Sequence, residues 1–258
     1  LFIAGVVPIA LMAALFTGYA MYAGRRAGVH RRRFDWREIF ENLRKGFWAI
    51  LLPALVCYLI VGGKTTVTQA GAIAAVYAFV VEFVFFRSLE LRRLPGLLRE
   101  AGAMIGMLLI IIAATFSFNT FLTAQEVPAM LTEWIQARFH SPVMFLAAVN
   151  VLLLLMGCMM DILSAVFITV PLLLPAAVFA MDINPIHFGV IFIVNFEIGY
   201  LTPPVGINLF TAGAVFKKPV EEVSRSVLPF LALMLGALLL ITYYPPLSLW
   251  LVELTGAG

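Results

Sequence analysis

An apolar stretch from Phe188 to Val215 is broken at its centre by eight residues, GYLTPPVG, Gly199 to Gly206. Two adjacent prolines cannot continue a helix, because each lacks an N–H and each ring clashes with the preceding turn. The flanking glycines loosen the backbone further. In hydrocarbon, freed backbone groups persist only where protein buries them or where they line a cavity. Such a break therefore implies a binding site near the middle of a membrane, as in the discontinuous helices of carriers. A proline kink that only shapes packing is the plainer alternative. The double proline and the preceding glycine favour a site.

The rest of the chain demands a membrane. It is 63% hydrophobic and 12% charged, against about 25% charged for a soluble domain. Its apolar runs are close to the roughly 20 residues of a spanning helix and lack the 10-residue alternation of a barrel strand. The fold class is all-α and integral to the lipid bilayer. The chain opens at Leu1 inside an apolar run that ends at Arg25-Arg26. A signal peptide carries its positive charges before the apolar region, so the expectation is a fragment whose earlier membrane segments are missing. Cys57 and Cys158 lie in apolar segments and read as small buried hydrophobes.

The apolar segments are Leu1–Ala23, Phe47–Val61, Val67–Phe86, Ala101–Thr123, Val143–Ala180, Phe188–Val215 and Val227–Leu251. Before the second, Asp35–Lys45 sets Trp36, Ile39, Phe40 and Leu43 against Arg37, Glu38, Glu41 and Arg44 at helical spacing. That pattern predicts an interfacial helix bending into the membrane. Val143–Ala180 is too long for one crossing and is interrupted by GCMMD, 157–161. It is either two tight spans or a re-entrant hairpin. A turn with no polar loop favours a buried tip, hence the hairpin. Fifteen of the 17 Lys and Arg residues fall in 24–45, 87–99 and 217–225. Counting crossings puts these regions on one side, the cytoplasmic side by the positive-inside rule, and the C-terminus on the other. Orientation thus accounts for the basic residues, and no nucleic-acid partner is expected.

Two places carry chemistry. Asp161 lies at the tip of the 143–180 segment. It reads as an N-cap accepting from Leu163 and Ser164, as an oxygen ligand for a hard cation, or as both. The 199–206 break splits its helix. The half ending near Ile198–Leu201 presents orphan carbonyls suited to a cation. The half starting near Pro204, with Thr202 as its cap, presents N–H groups and a positive dipole end suited to an anion. Gly157, Gly199, Pro203 and Pro204 are the structural breaks. Ser164, Thr202, Gly206 and Asn208 are the candidate substrate-binding residues. Glu197 is either a proton or ion relay or a paired charge.

On these residues the chain resembles the large membrane subunit (DctM-like) of tripartite ATP-independent periplasmic (TRAP) transporters. The resemblance rests on GCMMDILSAVFITVPLLLP (157–175), NPIHFGVIFIVNFEIGYLTPPVGINLF (184–210) and VLPFLALMLGALLLITYYPPLSLWL (227–251), and NFEIGYLTPPVG is its most specific part. It implies a Na+-driven importer of organic acids such as C4-dicarboxylates or sialic acid, in a bacterial inner membrane. It further implies a periplasmic substrate-binding protein, a small four-helix membrane subunit (Q-type), and two inverted repeats, of which the N-terminal one is largely missing here. The resulting division is 1–33 (last span of the first repeat and loop), 34–100 (arm helix and two scaffold spans), 101–142 (span and outer connector), 143–180 (re-entrant hairpin), 181–216 (broken helix) and 217–258 (final span). Carried over from the family, the Na+ would be held by Asp161 and carbonyls of Leu163, Ile198, Leu201 and Pro203. TVTQA at 66–70 departs from the family's TPTEA, losing a proline and a carboxylate with which such a turn holds an ion or caps its helix.

Other classes fit less well. A binding-protein-independent divalent-anion/Na+ symporter shares the general architecture but not NFEIGYLTPPVG. An intramembrane aspartyl protease needs two membrane aspartates, and Asp182 lies in a loop. Neither H-E-x-x-H nor G-x-S-x-G occurs, so no enzyme is expected.

Overall fold

The computed structural model describes residues 1–28, 35–87 and 90–256. The domain boundary drawn at 33/34 and the basic residues Arg31, Arg32 and Arg33 lie outside them. Among the described residues the regular structure is entirely helical: α1 (Phe2–Arg26), α2 (Trp36–Val61), α3 (Val67–Val80), α4 (Leu94–Ala124), α5 (Val127–Arg138), α6 (Pro142–Gly157), α7 (Ile162–Pro175), α8 (Pro185–Tyr200), α9 (Ile207–Phe216), α10 (Val220–Tyr243) and α11 (Pro246–Thr255). Five of the described helices are long and apolar enough to cross a membrane, or six if a bent pair counts as one span. Apolar side chains cover their outer faces. Ile110 and Phe116 of α4 are 72% and 74% exposed, tolerable only with lipid or further protein around them.

The chain forms two compact units, 27–107 and 1–26 with 108–258, and the boundary falls inside α4. In the first unit, Asp35 caps α2 by accepting from Arg37 N–H at 2.8 Å. A 66° bend then separates Trp36–Arg44 from Gly46–Val61. α2 packs against α3, where the Tyr77 hydroxyl donates to the Trp48 carbonyl at 2.8 Å. The turn at TVTQA keeps its cap despite losing the carboxylate. Gln69 N–H donates to Thr66 Oγ1 at 3.3 Å, and Thr66 N–H donates to Gln69 Oε1 at 3.0 Å. An amide oxygen accepts that bond as a carboxylate would.

The second unit is built around α6, α7 and α8. Phe145, Leu153, Ala165, Ile191 and Phe196 form its core, with Ile135 of α5 closing one side. α6 lies along α8, and α7 lies along α5. A second cluster joins α8 to α1 and α10 through Ala4, Val190, Val194, Met234 and Leu238.

Two sequence expectations change here. The span expected over 101–123 begins at Leu94, and its outer connector contains α5. The single span expected over 227–251 is two helices. α10 ends at Tyr243, and α11 begins after Pro245. Tyr244 N–H closes α10 on the Leu240 carbonyl at 3.0 Å. Pro245 and Pro246 then cannot donate to extend it, although an apolar tail still packs beyond the break.

Candidate functional site

The GCMMD sequence forms a short turn, Cys158–Met160, between α6 and α7. Asp161 is the N-cap of α7. It accepts from Ser164 N–H at 2.9 Å on one carboxylate oxygen and from Ser164 Oγ at 2.6 Å on the other. Each oxygen has lone-pair capacity left after one bond. The cap role read from the sequence is therefore present, and it leaves a ligand role open. Leu163 is exposed in the first turn of α7. The Ser164 hydroxyl donates to Asp161, which makes it part of the cap.

The second break spans Leu201–Gly206. α8 closes with Leu201 N–H donating to the Ile198 carbonyl at 3.0 Å and Thr202 N–H to the Gly199 carbonyl at 2.9 Å. Thr202 Oγ1 also donates to the Ile198 carbonyl, at 2.8 Å. The Ile198 oxygen thus carries two hydrogen bonds and is no orphan, contrary to the sequence reading. Among the described residues, no hydrogen bond outside the helices' own ladders reaches the carbonyls of Leu201 or Pro203. The carbonyls of Thr202, Pro204 and Val205 share this with them.

The start of the second half-helix is also corrected. α9 begins at Ile207, and its N-cap is Gly206 at φ +48°. Thr202 caps the end of α8 instead of the start of α9, and Pro203-Pro204 lies wholly within the break. Proline is compatible with a first helical position, as at Pro246 of α11, yet here the chain enters the helix only after Gly206. A left-handed residue is then needed to turn the chain into α9, and glycine takes that conformation at least cost. The first turn of α9 holds Asn208, half-buried and without a side-chain hydrogen bond among the described residues.

The tertiary structure brings the two breaks together. Val205 N–H of the second break donates to the Cys158 carbonyl of the first at 3.3 Å. Ile162 N–H, the first donor of α7, is accepted by the Tyr200 hydroxyl at the end of α8. Below them α6 and α8 touch backbone to backbone at Gly157 and Gly199. A Cβ on Gly199 would lie 2.5 Å from the Gly157 carbonyl carbon. Gly157 and Gly199 are therefore contact residues of a helix crossing, in the manner of small residues between membrane helices. Both sit at helix ends and are buried.

Tyr200 and Val205 were not singled out from sequence, where nothing distinguishes a bridging tyrosine from any other. A buried polar chain was missed as well. Asn195 Nδ2 donates to Asn150 Oδ1 at 2.8 Å, and Asn150 Nδ2 donates to Thr242 Oγ1 at 3.1 Å. His187 lies 3.2 Å from Ser248 Oγ and 3.3 Å from the Thr242 carbonyl. It ties α6, α8, α10 and α11 together. Its signal was legible: an amide inside an apolar helix must find a partner, and α6 and α8 each carry one. Glu197 is exposed.

Carboxylate and free carbonyl oxygens on two joined turns are what a hard cation takes. In the N-terminal turn of α9 that follows the break, the Leu209 N–H is taken by the Gly206 carbonyl at 2.7 Å, and the N–H groups of Ile207 and Asn208 are the ones left to offer an anion.

The family model described as "Tripartite ATP-independent periplasmic transporter, DctM component" matches residues 1–247. The chain is 38% identical over 258 residues to the C4-dicarboxylate TRAP transporter large permease protein DctM of Pseudomonas aeruginosa, covering 99% of this chain and 60% of that protein. It is 33% identical to the isethionate TRAP transporter permease protein DctMQ of Oleidesulfovibrio alaskensis, covering 97% and 40%. It is 30% identical to the sialic acid TRAP transporter large permease protein SiaM of Vibrio cholerae, covering 98% and 60%. The chain thus spans about three fifths of the length of the large permease relatives it matches.

Proposed function

Because the chain belongs to the DctM component family of tripartite ATP-independent periplasmic transporters, we propose that it acts as part of the large permease of a Na+-coupled importer of organic acids. C4-dicarboxylates are the first substrate class to try, since the relative at 38% identity is named for them. A periplasmic binding protein delivers the substrate, and a small Q-type membrane subunit completes the permease. The basic loops face the cytoplasm and the C-terminus faces the periplasm.

One observation carries this reading. The turn bearing Asp161 and the break bearing the Leu201 and Pro203 carbonyls are hydrogen-bonded to each other, through Val205 to Cys158 and Tyr200 to Ile162. Na+ takes its place among those oxygens. The carboxylate supplies the charge that makes ion binding favourable, and the carbonyls replace water. Binding at this seam holds the turn and the break in one arrangement, which favours a substrate carboxylate at the N–H groups opening α9. Ions and substrate then cross together as the block exchanges its access between the two sides.

The test is uptake of a labelled dicarboxylate by the complete permease in liposomes, with its binding protein and an inward Na+ gradient. Wild-type uptake rises with Na+, and Asp161→Ala abolishes that rise. Uptake by Asp161→Ala with unchanged Na+ dependence refutes the ion assignment.

A further inference from the structure

We infer that Tyr200 is a positioning residue for the ion site, holding the Asp161 turn against the broken helix; this rests on the Na+ reading above. The first N–H groups of a helix have no partner within it and must find an acceptor. At the start of α7, Asp161 takes the N–H of Ser164. The N–H of Ile162 is taken by the Tyr200 hydroxyl from another helix. Tyr200 is half-buried and is the last residue of α8. Among the described residues, the carbonyl of Leu201, its neighbour in the chain, accepts no hydrogen bond outside the helices' own ladders. One hydrogen bond therefore joins Ile162, the neighbour of the carboxylate residue Asp161, to Tyr200, the neighbour of Leu201.

Among the described residues, the other polar bridge between the two breaks is backbone, Val205 N–H to the Cys158 carbonyl at 3.3 Å. That bond ties the start of the 158–161 turn and leaves its Asp161 end to Tyr200. Cation sites need their oxygens held to within about 0.5 Å. Losing the phenol oxygen removes the polar tie between the Asp161 end of the turn and the broken helix, and leaves a peptide N–H without its acceptor. The cost falls on ion affinity. The rate once the site is saturated does not depend on it.

The experiment compares Tyr200→Phe with wild type and with Tyr77→Phe in the complete permease. The Tyr77 hydroxyl is likewise bonded to a main-chain group, there as donor to the Trp48 carbonyl, in the 27–107 unit. Uptake is titrated with Na+, and amide hydrogen exchange is followed on the 158–166 segment of the purified assembly. In Tyr200→Phe the half-saturating Na+ concentration rises about three- to tenfold, as for loss of one hydrogen bond of ordinary strength. Maximal uptake stays within about twofold of wild type, exchange at 158–166 quickens, and Tyr77→Phe changes neither readout. An unchanged half-saturating Na+ concentration overturns the inference, whatever happens to maximal uptake. Unchanged exchange at 158–166 overturns it separately. If wild-type uptake ignores Na+, the coupling-ion reading falls and takes the claim on ion affinity with it; the exchange measurement then judges the positional claim alone.

Discussion

Replacing Gly199 by alanine puts the close approach of α6 and α8 under direct load. The added Cβ would lie 2.5 Å from the carbonyl carbon of Gly157, 2.6 Å from its Cα and 2.9 Å from its oxygen. Carbon atoms rest about 3.5–4.0 Å apart, so the helices must separate by roughly 1 Å at the crossing. All three obstructing atoms are backbone, and no rotamer change relieves the clash. Overpacking of this sort costs typically 1–3 kcal/mol, and the absence of a flexible neighbour puts Gly199→Ala near the upper end, about 3 kcal/mol. Separation by that distance also breaks the 3.3 Å bond from Val205 to Cys158, which has no slack. The converse change is milder. A Cβ on Gly157 meets its nearest neighbours, Gly199 Cα and the Phe196 Cα and ring, at 3.3 Å, a few tenths of an ångström too tight. We expect Gly157→Ala to cost about 1 kcal/mol or less. The assay is the melting midpoint of the purified permease in detergent, paired with uptake in liposomes. Gly199→Ala should melt well below Gly157→Ala and lose Na+-driven uptake. Equal melting for the two variants, or wild-type melting for Gly199→Ala, refutes the crossing as described.

Other perturbations separate the remaining roles. Asp161→Asn retains an oxygen to cap α7, so it should melt close to wild type while Na+-stimulated uptake falls by an order of magnitude or more; Asp161→Ala should lose about 1 kcal/mol of stability as well. Asn195→Leu strands the buried Asn150 oxygen and should cost about 1–3 kcal/mol. The double variant Asn150→Leu with Asn195→Leu should cost less than the two single changes summed, and a strictly additive cycle argues against a direct bond. Thr66→Ala removes half of the capping box on α3 and should lower the melting midpoint by the equivalent of about 1 kcal/mol, with the Na+ dependence of uptake unchanged.

Apolar run length and charge placement sufficed for the class of molecule. Helices must satisfy their own backbone in hydrocarbon, so runs of 20 apolar residues leave little choice of structure. The same local rules located both interruptions, because glycine and proline act on their own turn whatever surrounds it. GCMMD and GYLTPPVG are breaks in the structure, and Asp161 caps the helix that follows it. Local rules failed where a bond runs between elements or where a helix restarts. Thr202 turned back to Ile198, Gly206 became the N-cap of α9, and the apolar tail after Pro245 proved to be a separate helix. Composition was blind to these, since an apolar residue suits either side of a break. The partners of Gly199, Tyr200 and Val205 all lie about 40 residues away or more in the chain, at 157, 162 and 158. Spacing within a segment carries no information about such contacts. Only the packing of α6 along α8 decides that two separate interruptions become one seam.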